Sequence, residues 1–299
     1  MRPSLLVCLP VRGQATAGAA VRAILADCPE AQVFVYHNYV DSPVSLDLPP
    51  GVLLVEERVP ATMTIGAIRN WMCQMALARS PWAVASADAD ITGFLQPGYY
   101  RRVLAALERA PATAARRYVE LAGLEGNVNL LLLAVLSNAQ SYLRSRMGSP
   151  TTTVGAGSAF RAEALLAAGG YPDVAVGEDL AMADRMGSVE TLQDDGVYCD
   201  CRKLLSHLDD HYDRWAERVN LPPGPPPPAD RLIDGGVAFM SSWIAQMFSL
   251  AIRATGSSAL QLRAAVFHER LQTLALRLPG LAPAARLGEV ADFHRSPLG

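Results

Sequence analysis

Residues 82–90 read WAVASADAD, an apolar run that ends on two carboxylates, Asp88 and Asp90. A short apolar run bounded by polar residues reads as a buried strand. On an extended chain, side chains two apart point to the same face. Asp88 and Asp90 are therefore expected to face one ligand at the carboxyl end of that strand. In open parallel sheets this is the edge where ligands bind. Two hard oxygen donors there suit Mg²⁺ or Mn²⁺, with phosphate oxygens completing the shell. A solvated loop or a cap is the other use of such an acidic pair.

Towards the N-terminus, strand and helix signals alternate. Residues 5–11 (LLVCLPV) form an apolar run that feeds a loop through Arg12 and Gly13. The Ala-rich residues 15–26 have helical spacing, and residues 32–37 (QVFVYH) are β-branched and aromatic. Residues 52–56 read as a third strand and 65–78 as a second helix. This alternation predicts an α/β domain whose sheet is mostly parallel, with helices on its faces.

Towards the C-terminus, residues 99–109 and 120–146 read as helices. Residues 155–160 read as a Gly-rich turn into a helix over 161–168, ended by Gly169-Gly170. The second acidic pair, Glu178-Asp179, opens the next helix. Taken alone, Asp179 also fits an N-cap. A strand follows at 197–201. Residues 222–228 (PPGPPPP) form a stiff polyproline linker. The expected organisation is a catalytic domain over 1–220, a linker over 221–229 and a helical extension over 230–299.

Composition narrows the partners. Of 299 residues, 51% are apolar and 18% charged, a balance that builds a sizeable core. The formal net charge of −3 offers no basic surface for nucleic acid. No run approaches the ~18 apolar residues of a membrane span. The N-terminal apolar run breaks at Pro10, so no signal peptide is expected. Five scattered cysteines suit reduced thiols in a cytoplasmic protein.

The order of motifs carries a resemblance. Asp88-Ala89-Asp90 is followed by GAGSAFRAEALLAAGGYP over 155–172, and then by Gly177-Glu178-Asp179-Leu180. Together they resemble the inverting family 2 nucleotide-sugar glycosyltransferases of the GT-A fold, over residues 4 to about 215. Gly66-Ala67-Ile68-Arg69-Asn70 is similar to that family's G-x-x-x-A-R-N helix start, shortened by a residue. The resemblance implies a Rossmann-like GT-A domain with a C-terminal helical extension. It implies a nucleoside-diphosphate-sugar donor, a Mn²⁺ or Mg²⁺ cofactor and transfer to a small-molecule or glycan acceptor through an O-, N- or S-nucleophile.

The same resemblance implies roles. Pro10, Val11 and Arg12 would form the first nucleotide-contacting loop. Arg69 would lie near the nucleotide or orient the acids. Asp88 and Ala89, with Gly157, would contact the nucleotide sugar. Asp90 would be the main metal ligand, with Asp88 beside it. Asp179 would deprotonate the acceptor, flanked by Glu178. A late histidine often completes the metal shell in GT-A enzymes. Of His207 and His211, which share a helical face, His207 follows the last strand more closely and is chosen. The second strand ends in Tyr36-His37-Asn38, without the acid that usually reads the base, so uracil, guanine and thymine donors all stay open. The Q-x-x-R-W motif of processive synthases is missing.

Other classes fit less well. A nucleotidyltransferase needs a basic Gly-rich loop where this chain has VRGQATAG. A dehydrogenase needs G-x-G-x-x-G after the first strand. A retaining glycosyltransferase, or a catalytically silent binding protein that keeps the fold, stays in play. Apolar residues at helical spacing in 237–252 and 260–278 suit burial in the same chain or a homodimer through the C-terminal helices.

Overall fold

The structure is a computed structural model that describes residues 4–12, 16–146, 155–174, 178–200 and 258–295. They group into two compact units, one of residues 1–118 and 144–199, the other of 119–143 and 200–299. His207, His211, the polyproline stretch and residues 237–252 lie outside the described residues.

The first unit is built on an eight-stranded sheet. Its strands are β1 (Leu5–Val11), β2 (Gln32–Tyr39), β3 (Leu53–Arg58), β4 (Ala83–Ser86), β5 (Ile91–Phe94), β6 (Ala112–Val119), β7 (Ser158–Arg161) and β8 (Val189–Cys199). They lie in the order β3-β2-β1-β4-β7-β6-β8-β5. β3, β2, β1 and β4 are mutually parallel. β7 runs antiparallel to both β4 and β6, so β6 shares the direction of the first four. β5 pairs antiparallel with β8. The outcome is the mixed, mostly parallel α/β sheet flanked by helices that the alternation predicts.

β1 shows why this run of sequence is a central strand. Its odd residues, Leu5, Val7, Leu9 and Val11, enter one core with Val33 and Val35 of β2. That core is covered by α1 (Ala17–Asp27) and α3 (Tyr99–Leu107). Its even residues Leu6 and Cys8 enter a second core with Phe34, Tyr36 and Phe160. Ile68, Met72 and Cys73 of α2 (Ile65–Leu77), Leu165 of α5 (Ala162–Ala167) and Met182 of α6 (Glu178–Met186) cover that face. A strand buried on both faces reads as a continuous apolar run rather than an alternating one.

Three strands are not legible as strands in the sequence. β5 and β7 have four residues each, and β7 falls where a Gly-rich turn is expected. β6 carries Arg116 and Arg117, which break its apolar pattern. The helix expected over 120–146 starts only at Val128 as α4 (Val128–Arg146). Gly123 has φ +88°, which ends any helix there, and Asn127 Oδ1 accepts from Leu130 N at 3.0 Å, capping the new one.

The second unit has its own core. Leu131, Ala134 and Val135 of α4 pack with Phe267, Leu271 and Leu274 of α7 (Ser258–Arg277), and with Val290 and Phe293 of α8 (Pro283–Arg295). Asn138 pins the segment before α4, accepting from Val119 N at 2.7 Å and donating to Val119 O at 2.9 Å. Among the described residues no helix is long and apolar enough to cross a membrane.

Candidate active site

β4 stops at Ser86, and the chain then turns. Ile91 N donates to Asp88 O at 3.2 Å, so Asp88 to Ile91 form a tight turn between β4 and β5. This corrects the expectation of an extended Asp-Ala-Asp. The shared direction of Asp88 and Asp90 does not follow from strand alternation, since a hydrogen-bonded turn intervenes. The turn is held from α1, where the Thr16 hydroxyl donates to Ala89 O at 2.7 Å. Ala89 is itself buried.

Each carboxylate of the turn meets an arginine. Arg69 Nη2 donates to Asp88 Oδ1 at 2.8 Å. Arg117 Nη2, from β6, donates to Asp90 Oδ2 at 3.2 Å. Asp90 is only 6% exposed. A buried carboxylate is costly unless compensated, and these arginines supply the compensation.

Arg69 also reaches the second acidic pair. Its Nε donates to Glu178 Oε1 at 3.2 Å, and its Nη1 donates to Ser86 Oγ. Arg69 is 5% exposed, and its guanidinium lies 6.0 Å from the centre of the Tyr171 ring. Burial works against its charge, but Asp88, Tyr171 and Glu178 outweigh that and keep its pKa above the ordinary arginine value. Residues 109 apart in sequence are thus joined through one side chain. At the first turn of α6, Glu178 is buried and its carboxyl pKa is raised. Burial is the main cause, opposed by Arg69 and assisted by Asp179 and Asp88. Asp179, one residue on, is partly exposed.

Two glycine contacts fix this geometry. A Cβ on Gly66, at the start of α2, would lie 2.2 Å from Pro172 O, and one on Gly170 would lie 2.2 Å from Asn70 Oδ1. Gly66 N also donates to Val174 O at 3.3 Å. The α2 start and the Gly-Gly-Tyr-Pro segment therefore touch backbone to backbone, which puts Arg69 beside α6. Thr64 caps α2 through Ala67 N at 2.9 Å and donates to Asp173 Oδ1 at 2.5 Å.

The first expected loop is shorter than the sequence suggests. Pro10 and Val11 belong to β1, paired with Tyr36 and His37, and Val11 is wholly buried in the core. Only Arg12 lies beyond the strand, and its Nε donates to Asn38 Oδ1 at 2.9 Å. Gly157 sits against β6, where an added Cβ would come within 3.2 Å of Ala115 O. Its small size serves a strand contact. His37, without a defensible partner in sequence, is fully buried and bonds Glu56 Oε1 through Nδ1 at 2.8 Å. Thr16, Ser86 and Arg117 are contributors that motif reading misses. Their positions follow from strand order, and no local pattern marks Arg117, since β6 does not read as a strand.

Among the described residues, no group of three or more His, Cys, Asp or Glu side chains is arranged to hold a metal. The turn offers two carboxylates. That set fits a Mg²⁺-like ion, which is commonly held by one or two carboxylates plus substrate phosphates.

No family model matches this chain, and no curated protein matches it in sequence. Its fold is similar to a mannosyltransferase from Pyrobaculum calidifontis, solved with GDP-Man and Mn²⁺. That match has 15% identity, spans 100% of this chain and 88% of the other, and has a TM-score of 0.47. It is also similar to S. aureus TarS residues 1–349, with 12% identity, coverage of 98% and 91%, and a TM-score of 0.44. A third similar structure is a candidate nucleotide-diphospho-sugar transferase from Desulfovibrio desulfuricans G20, with 11% identity, coverage of 80% and 97%, and a TM-score of 0.39.

Proposed function

We propose that this chain is a GT-A type glycosyltransferase that moves a sugar from a nucleoside-diphosphate sugar to a small-molecule or glycan acceptor, with inversion. The observation that carries the reading is Arg69. It gathers Asp88, at the carboxyl end of parallel β4, and Glu178, at the start of α6, into one buried cluster. Two acidic motifs that resemble a donor site and a base site in sequence are neighbours in space.

In this reading Asp90 and Asp88 hold a divalent cation with the donor diphosphate, and His207 is the third ligand. When bound, the cation neutralises charge on the nucleoside-diphosphate leaving group. Arg12 and Ala89 line the nucleotide site, with Pro10, Val11 and Gly157 shaping its floor. Asp179 takes the proton from the acceptor nucleophile as it attacks the anomeric carbon. General-base assistance of this kind contributes roughly 10²–10⁴-fold in rate. Glu178, tied to Arg69, sets the position of Asp179 and the charge beside it.

The test is ligand-induced thermal stabilisation with UDP, GDP, dTDP and CDP, each with Mn²⁺, with Mg²⁺ and with EDTA. Ligand at about 100 times Kd adds roughly 2.7 kcal/mol. One diphosphate is expected to stabilise the protein only with metal, and Asp90→Ala is expected to abolish the shift. A folded protein that responds to none of the four refutes the reading.

A further inference from the structure

Asp88 and Asp90 differ in how their arginines are held. Arg69 is enclosed, with bonds to Asp88, Glu178 and Ser86 and almost no exposure. Arg117 is different. Its side chain is 28% exposed, whereas that of Asp90 is 8% exposed. Its Nε is buried with no hydrogen-bond partner. Its 3.2 Å contact with Asp90 is longer than the roughly 2.7–2.9 Å of a tight charge-assisted bond. The guanidinium also lies close to Asp88 and to the Cys199 thiol at the end of β8. Burial acts against its charge, and these neighbours hold its pKa above the ordinary value.

We propose that Arg117 is the built-in counter-ion of Asp90, which holds that carboxylate until a divalent cation displaces it. The proposal rests on the metal-assisted reading above. A dication in contact with Asp90 would stand within a few ångströms of the guanidinium, and like charges at that range repel strongly in a partly buried site. Arg117, although hydrogen-bonded with Cys199 as well, is partly exposed, whereas Arg69 is enclosed. Arg117 therefore sets the cation affinity of the site. It keeps Asp90 compensated in the empty protein and raises the cation concentration needed to load the turn.

The experiment is Mn²⁺ titration of the full chain without nucleotide, read by the loss of the free-ion electron paramagnetic resonance signal. Wild type is compared with Arg117→Ala, Arg117→Lys and Asp90→Ala. Arg117→Ala is expected to lower the Mn²⁺ Kd by roughly tenfold or more, since it removes a unit positive charge beside the ion. Arg117→Lys should stay near wild type and Asp90→Ala should lose the site. Should Arg117→Ala fail to fold by circular dichroism, Arg117→Gln, with similar bulk, serves in its place. An unchanged or weaker Kd in the neutral variant, or no binding to it up to about 1 mM Mn²⁺, overturns the proposal. A purely structural Arg117 would give that unchanged or weaker Kd. The nucleotide panel is independent. If it succeeds while Mn²⁺ affinity ignores Arg117, the counter-ion role alone fails. If it fails while Arg117→Ala tightens Mn²⁺, the glycosyltransferase reading alone fails.

Discussion

Arg69 is the side chain on which most of the site depends. Replacing it with Met would leave the buried Glu178 and the half-buried Asp88 without this cation. Removing one partner of a buried pair costs about 3–5 kcal/mol, and the loss is expected as a lower urea midpoint together with loss of nucleotide-diphosphate binding. Asp179→Asn acts differently. It is expected to reduce turnover by roughly 10²–10⁴-fold while leaving the metal-dependent stabilisation by nucleotide intact. Glu178 gives a pH signature. Burial raises its pKa in the folded state, so folding favours its protonated form. Its stabilising contribution is complete below the ordinary glutamate value, about 4.3, and declines as pH rises towards the raised value. The stability of wild type relative to Glu178→Gln should therefore fall across that interval in denaturation curves taken at stepped pH. A flat difference would show that Glu178 titrates normally.

At the scale of elements, the site depends on where α2 begins. Gly66 lies too close to the Pro172 carbonyl, and Gly170 too close to the Asn70 side-chain oxygen, for either to carry a Cβ. Gly170 also has φ +76°, where a Cβ is strained. Gly66→Ala is expected to destabilise by about 1–3 kcal/mol, the range of overpacking, and to weaken donor binding, because Pro172 and α2 must separate. The motif text around Gly66 and Arg69 was readable in the sequence, and so was the helix start. The turn at Asp88 was not. The run WAVASADAD looks extended to its end, but Ile91 N bonds back to Asp88 O, and the next strand, β5, pairs with β8 rather than continuing β4. α3 shows the same kind of dependence. Asp27, at the end of α1, accepts from Gly98, Tyr99 and Tyr100 backbone N–H groups at 2.6, 3.1 and 3.0 Å. No local pattern links these residues, which are about seventy positions apart.

At the scale of the molecule, the described residues fall into two units, and α4 shares a core with α7 and α8. Leu131 is fully buried in the helical unit. Leu131→Ala is expected to cost about 2–5 kcal/mol, against less than about 0.5 kcal/mol for Leu276→Ala at a position 82% exposed. Chemical denaturation of both variants measures the difference. Charge is a whole-molecule property as well. With a net −3, Arg69 and Arg117 at the candidate site act locally, each against a named carboxylate.

The sequence by itself determined the α/β class, the central strands β1, β2 and β4, and the acidic residues proposed for the site. Those features are local, because an apolar run of a given period and a carboxylate at its end can be read without knowing what lies beside them. Only the tertiary structure decided that β6, β7 and β8 complete the sheet, that Asp88 and Asp90 sit on a turn, and that each meets its own arginine. Strand order is set by which apolar faces can be buried together. An ion pair across the sheet therefore depends on the whole set of pairings and not on any one segment.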